Sequence, residues 1–141
     1  MKLDLSSLRK AVESLDRTIN ITKDDTFFKN LSEEAKEAIK SGVIQNFEVA
    51  YETCWKFARR WLKENVPVEQ AERPRSRKEL FRLAAQYGLI KDPVVWFSYG
   101  DARNLTSHTY DENTAESVFE TAMDFIKDAK DLLKKLEESN E

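Results

Sequence analysis

At 141 residues the chain is long enough for one domain with a substantial core and too short for two ordinary ones, so residues 1–141 read as a single helical domain. Hydrophobic residues at 40%, charged residues at 35% and only 3 Gly and 3 Pro describe an all-α chain with few turns, and a net charge of -3 excludes a wholesale nucleic-acid coat. No apolar run approaches the roughly 20 residues that span a bilayer, and Met1-Lys2-Leu3-Asp4-Leu5 lacks a signal-peptide core, which points to a cytoplasmic protein without membrane contact.

Leu5, Leu8, Val12, Leu15 and Ile19 recur three and four apart and predict an amphipathic first helix, capped by Asp4 or Ser6. Lys23-Asp24-Asp25-Thr26 reads as a loop, with Phe27, Phe28 and Leu31 tucked into the core beside it. Ser32 then caps a long helix reaching about Lys63, with Glu33 and Glu34 placed where the helix dipole favours negative charge. This helix carries two apolar stripes. Ile39, Val43, Phe47, Ala50, Cys54, Phe57 and Trp61 form one; Ile44, Tyr51, Trp55, Ala58 and Leu62 form the other. A helix apolar on two faces is buried on two sides, so it is the central element, packed by neighbours or by a partner subunit in a homodimer. Gln45, Glu48, Glu52 and Lys56 interrupt the pattern and read as surface pairs four residues apart.

Cys54 is the only cysteine and His108 the only histidine, which excludes an internal disulfide and a zinc constellation. No cofactor or metal is expected, and any catalysis is metal-independent unless carboxylates hold Mg²⁺ in a way that spacing does not reveal. Trp55 and Trp61 read as core or dimer packing rather than a base-stacking platform.

Asn65 to Arg75, with Pro67 and Pro74 and no period, is expected to be the longest loop. Ser76-Arg77-Lys78-Glu79 is a capping box, and Gly88 marks the stop of the helix it opens. Asp92-Pro93 restarts the chain as a helix carrying Val95, Trp96 and Tyr99, in which Gly100 marks close packing, a bend or a tolerated glycine. Asn113-Thr114-Ala115-Glu116 is the expected cap of the last helix, with Val118, Ala122, Phe125, Ile126, Ala129, Leu132, Leu133 and Leu136 on its apolar face; from Glu137 onward the tail should fray.

Charge is uneven along the chain. Lys56 to Arg82 holds nine cations against four carboxylates, a local +5 in a chain of -3. Arg73, Arg75, Arg77 and Lys78 are the candidate contacts to RNA or an acidic partner, beside the plainer reading as a solvated helix face.

The stretch from Arg103 to Tyr110 concentrates the chemistry: a permanent cation, an amide, three hydroxyls, an imidazole and a phenol within eight residues. Arginine offers a planar fork of donors, and histidine is the side chain suited to move a proton near neutrality, a pairing that fits phosphate chemistry. Five residues apart on a straight helix, Arg103 and His108 would diverge by about 140°. Either the helix ends near Ser107, with His108 and Tyr110 turned back over the face of Arg103 and Asn104, or two copies of the stretch meet across a two-fold axis. The plainer alternative is that Arg103 and His108 cap the end of their helix and pair with Asp101 or Asp111.

These elements together resemble the HEPN superfamily, and within it the nucleotidyltransferase substrate-binding proteins. The resemblance runs through Gln45-Asn46-Phe47-Glu48, Trp55-Lys56, Pro74-Arg75, Gly88-Leu89-Ile90, Trp96, Arg103-Asn104 and His108-Thr109-Tyr110-Asp111, with Arg103 to Tyr110 matching an R-x4-H-x-Y pattern. It implies a four- or five-helix up-and-down bundle, a homodimer, and a partner chain that is a minimal nucleotidyltransferase (MNT). Many such pairs act as toxin and antitoxin, the HEPN member being a metal-independent endoribonuclease; others are described only as substrate-binding subunits. Under that resemblance Arg103 and His108 are catalytic, Asn104 supports the ring or a phosphate oxygen, and Tyr110 is the position to which the partner transfers AMP.

Overall fold

The computed structural model describes residues 2–141, and all its regular elements are helical. Five helices of ten residues or more build the bundle: α1 (Ser6–Lys23), α3 (Glu33–Asn65), α5 (Arg77–Gln86), α6 (Pro93–Asn104) and α7 (Glu112–Ser139). Two single turns, α2 (Asp25–Phe28) and α4 (Val68–Ala71), sit in the connections, and a 3-10 turn, Leu105–His108, follows α6.

The helix boundaries follow local chemistry. Asp4 accepts from the Ser6 N–H at 3.0 Å, Ser32 from the Ala35 N–H at 3.1 Å, Ser76 from the Glu79 N–H at 3.2 Å and Asp92 from the Val94 N–H at 2.9 Å. Each satisfies a donor that the first helical turn would otherwise leave unpaired. At the end of α5 the Leu89 N–H reaches the Ala84 carbonyl at 2.9 Å and the Gly88 N–H that of Ala85 at 3.1 Å. That double closure needs a left-handed residue, and Gly88 supplies it at φ 79°.

Side-chain pairs fix the directions of the long helices. Arg9 meets Glu137 and Asp16 meets Lys130, so α1 and α7 run antiparallel. Lys40 meets Glu116 and Trp61 meets Ser139, so α3 and α7 run parallel. Between these two the chain returns through a short hairpin of α5 and α6. The core gathers Phe47 and Tyr51 from α3, Phe81 from α5, Trp96 and Tyr99 from α6 and Phe125 from α7. Phe81 stacks on Trp96 at 5.0 Å, and Phe125 meets Phe47 and Tyr99 edge-on at 5.1 Å. Such geometry adds to what burial of the rings alone contributes.

Both stripes of α3 are buried, Val43, Phe47, Ala50 and Cys54 on one and Ile44, Tyr51, Ala58 and Leu62 on the other. Helices of the same chain cover them, so these faces do not call for a second subunit. Burial pushes the Cys54 thiol far above its ordinary range, making it an inert core residue.

Four boundary readings are corrected. Asp24 accepts from the Phe27 N–H and turns the expected loop into α2, leaving Phe27 52% exposed rather than in the core. The long loop after α3 contains α4. Asp111, not Asn113, caps α7, accepting from the N–H groups of Asn113 and Thr114. The tail stays helical to Ser139, because Glu137 pairs with Arg9, Ser139 accepts from Trp61 Nε1 at 2.9 Å and Asn140 exchanges hydrogen bonds with Leu3. Partners from α1 and α3 hold residues that an isolated helix end would release.

Candidate active site

Gly100 lets α6 approach α3. A Cβ built there would lie 2.8 Å from the Tyr51 hydroxyl oxygen, so close packing is the role of this glycine. One turn later the same approach delivers Arg103 to the half-buried carboxylates of α3. Its Nε donates to Glu52 Oε1 at 2.7 Å, and its Nη1 lies 3.7 Å from Glu48 Oε2.

Glu52 is shared among three helices. Arg77, at the start of α5, sends Nη1 to Oε1 at 2.9 Å and Nη2 to Oε2 at 3.0 Å, while Trp55 Nε1 donates to Oε2 at 2.8 Å. The Arg77 guanidinium also lies over the Trp55 ring at 4.6 Å. Burial raises the Glu52 pKa, but the hydrogen bonds from Trp55, Arg103 and Arg77 outweigh it and hold the carboxyl below its ordinary value. Glu52 therefore stays ionised at neutral pH. The expectation that Glu48 and Glu52 form surface pairs along their own helix is thus corrected: Glu52 pairs across the bundle, and Glu48 accepts from the Thr106 hydroxyl and faces Arg103.

After Asn104 the chain tightens into the 3-10 turn, three residues before the expected end near Ser107. Tightening redirects the side chains. Arg103 faces α3, while His108 is exposed and its ring stands 6.1 Å from that of Tyr110. Among the described residues the His108 side chain makes no hydrogen bond or ion pair with Arg103, Asp101 or Asp111, its only link to Asp111 being the Asp111 N–H donated to the His108 carbonyl at 3.3 Å, so the reading that pairs its imidazole with those carboxylates finds no support. Tyr110 is 85% exposed.

Arg103 and Asn104 line a cleft of about 440 Å³ together with Ser76, Arg77, Lys78 and Phe97. Tyr110 lies on another, of about 920 Å³, beside Phe28, Lys36 and Lys40. Arg73 and Arg75 are exposed around the start of α5, whereas Arg77 is committed to Glu52. The basic segment thus divides into free cations and one structural cation. Cations beside an amide in an open cleft can hold a phosphate, and an exposed imidazole can exchange protons.

Sequence reasoning missed Glu52, Glu48 and Thr106. A signal was present, since Glu52 lies between Tyr51 and Trp55 on the flank of an apolar stripe, where a carboxylate requires a cation from elsewhere in the fold.

A family model described as nucleotidyltransferase substrate binding protein like matches residues 3–138. The chain is 33% identical over 140 residues to a Haemophilus influenzae protein named "Probable ribonuclease HepT", covering 99% of this chain and 96% of the other. A solved Haemophilus influenzae structure, described as revealing the fold of a substrate binding domain of a nucleotidyltransferase, superposes with a TM-score of 0.88 at 32% identity, covering 95% of this chain and 99% of that one. A crystal structure from Thermus thermophilus matches with a TM-score of 0.72 at 27% identity, over 92% of this chain and 98% of that one.

Proposed function

The chain belongs to the nucleotidyltransferase substrate-binding-protein-like family, and on that premise we propose that it is a HEPN-type toxin, a metal-independent endoribonuclease neutralised by a partner minimal nucleotidyltransferase. The observation that carries this reading is the pairing of a fixed cation, Arg103, held beside an open cleft, with an exposed histidine five residues on. The relative named as a ribonuclease supports the same direction.

In metal-independent RNA cleavage the ribose 2′-oxygen attacks the adjacent phosphorus and the bond to the 5′-oxygen breaks, leaving a 2′,3′-cyclic phosphate and a 5′-hydroxyl. A base takes the 2′-hydroxyl proton, an acid supplies one to the leaving 5′-oxygen, and a cation meets the charge growing on the phosphate. Arg103 serves as that cation, and Asn104 on the same cleft holds a phosphate oxygen. His108 serves as acid or base. One imidazole cannot be both in a single passage, and each chain has one histidine. A homodimer that brings two copies of the stretch to one cleft would supply the pair. Sedimentation at micromolar concentration tests this: a dimer is expected, and a stable monomer that still cleaves RNA would remove the two-histidine scheme.

Tyr110 offers a control point. Its phenolic oxygen attacks the α-phosphorus of ATP on the partner, pyrophosphate leaves, and the phenolic proton passes to a base on the transferase. The product places a phosphodiester charge and a nucleotide beside His108, blocking the approach of substrate phosphate. Exposure of Tyr110 and its contact with the His108 ring support the reading.

A second reading rests on a separate observation. Within one chain the charge of Arg103 is already met by Glu52 and Glu48, and the solved relative is described as a substrate binding domain. This favours a non-catalytic subunit that holds substrate for the nucleotidyltransferase. RNA cleavage in EDTA, wild type against His108→Ala, separates the two. Activity lost in the variant is the ribonuclease result; no activity in either is the binding-subunit result.

A further inference from the structure

Glu52 is the polar group to which the fold commits most donors. A carboxylate has about four lone-pair sites, and four N–H groups occupy them: Arg103 Nε and Arg77 Nη1 on Oε1, Arg77 Nη2 and Trp55 Nε1 on Oε2. A group so saturated has no capacity left to act as a base or to bind substrate. What it can do is fix its donors.

The way Arg103 is held matters. Only Nε of Arg103 is bonded to Glu52, Nη1 lies 3.7 Å from Glu48 Oε2, and the side chain remains 30% exposed beside the cleft. Arg77 is held through both Nη atoms, its plane set by the Trp55 ring beneath it. Two cations from α5 and α6 thus line one cleft, and mutual repulsion would separate them without a negative charge between. We infer that Glu52 is the positioning residue of the site, holding the Arg103 guanidinium at the cleft where a phosphate would sit, while Arg77 and Trp55 fix Glu52 itself. The inference rests on the ribonuclease reading above.

Positioning makes a prediction that charge alone does not. Glu52 is a negative group near a phosphate site, so neutralising it should, by simple electrostatics, favour RNA binding and speed the reaction. If it positions Arg103, neutralising it slows turnover while KM stays level or falls, because displacement of a catalytic group by about 1 Å can cost on the order of 10²-fold. The effect must also pass through Arg103, so Glu52→Gln should add nothing once Arg103 is gone.

The experiment is a double-mutant cycle on the full-length protein with a fluorogenic single-stranded RNA oligonucleotide in EDTA: wild type, Glu52→Gln, Arg103→Ala and the double variant, with thermal unfolding of each. The expected result is kcat down on the order of 10²-fold in Glu52→Gln with KM not raised, and a double variant no slower than Arg103→Ala alone. Should Glu52→Gln not fold, Glu52→Asp replaces it in the cycle, keeping the charge on a stem too short to span both guanidiniums. Losses that multiply in the double variant, or kcat at or above wild type in the folded Glu52 variant, overturn the inference and leave the ribonuclease reading standing. A folded wild type that cleaves no RNA overturns both.

Discussion

Around Glu52, four donors from three helices converge on one partly buried carboxylate, whereas from His108 to Tyr110 two exposed rings stand 6.1 Å apart. The His108 ring and Arg103 are separated by a few residues of one chain, yet the bundle fixes one and barely touches the other. In the first region, geometry exists before any ligand arrives, because α3, α5 and α6 cannot shift without stripping a half-buried charge of its partners. In the second, the fold leaves both side chains exposed. Under the proposed ribonuclease function, the first region would be a rigid anion clamp and the second an adaptable proton carrier.

The contrast breaks most sharply in activity. Arg103→Ala and His108→Ala should each reduce RNA cleavage by at least about 10²-fold, by analogy with other lost acid-base or charge-stabilising groups. Their stabilities should differ: the exposed His108 can be replaced with no change in melting temperature, while loss of Arg103 leaves Glu52 and Glu48 short of a cation and lowers it. Equal melting temperatures for the two variants would erase that distinction.

Gly100→Ala probes the approach that delivers Arg103. The new methyl meets the Tyr51 hydroxyl at 2.8 Å against a buried ring, and overpacking of this kind costs about 1–3 kcal/mol. Urea unfolding measures it, and an unchanged midpoint would mean that α6 is free to move off α3.

Acid sharpens the comparison in a different way. The folded-state pKa of Glu52 is depressed, so its contribution to stability is complete above the unfolded carboxylate value, about 4.3, and disappears as pH falls through the lower folded value. Glu52→Gln has no such contribution to lose. Its melting temperature should therefore fall less than that of wild type between neutral pH and the acid range; parallel curves would place the acid sensitivity elsewhere.

Smaller effects belong to the exposed cations. Neutralising Arg73 and Arg75 should flatten the salt dependence of single-stranded RNA binding by up to about 0.7 in log-log slope for each phosphate contact removed, with no loss of stability. Arg77→Gln should lower stability as well, since it releases Glu52. The smallest structural effect is that of Tyr110→Phe, which should melt as wild type. Intact-mass spectrometry after incubation with the partner, ATP and Mg²⁺ should then find AMP on the wild type and none on the variant; AMP on both would assign the modification to another residue.

Local chemistry was legible wherever a few neighbouring residues decide the outcome. The caps at Ser32, Ser76 and Asp92, the stop at Gly88 and the stripes of α1, α3 and α7 needed no knowledge of the rest of the chain. Errors fell where distant partners decide. The tail after Glu137 looked free until Arg9, Trp61 and Leu3 held it, and Glu52 looked like a surface residue until α5 and α6 closed over it. Phe27 failed for the opposite reason: an aromatic side chain implied burial, but the single turn opened by Asp24 turns it outward.

The amino-acid sequence by itself determined the all-helical bundle, the central place of α3 and the concentration of phosphate-compatible groups between Arg103 and Tyr110, because apolar period, caps and residue chemistry are properties of short segments. Only the tertiary structure decided that Arg103 belongs with Glu52 and Arg77 rather than with His108. Pairing a half-buried carboxylate depends on which cations three separately folded helices bring within hydrogen-bonding reach, and no spacing along one helix encodes that.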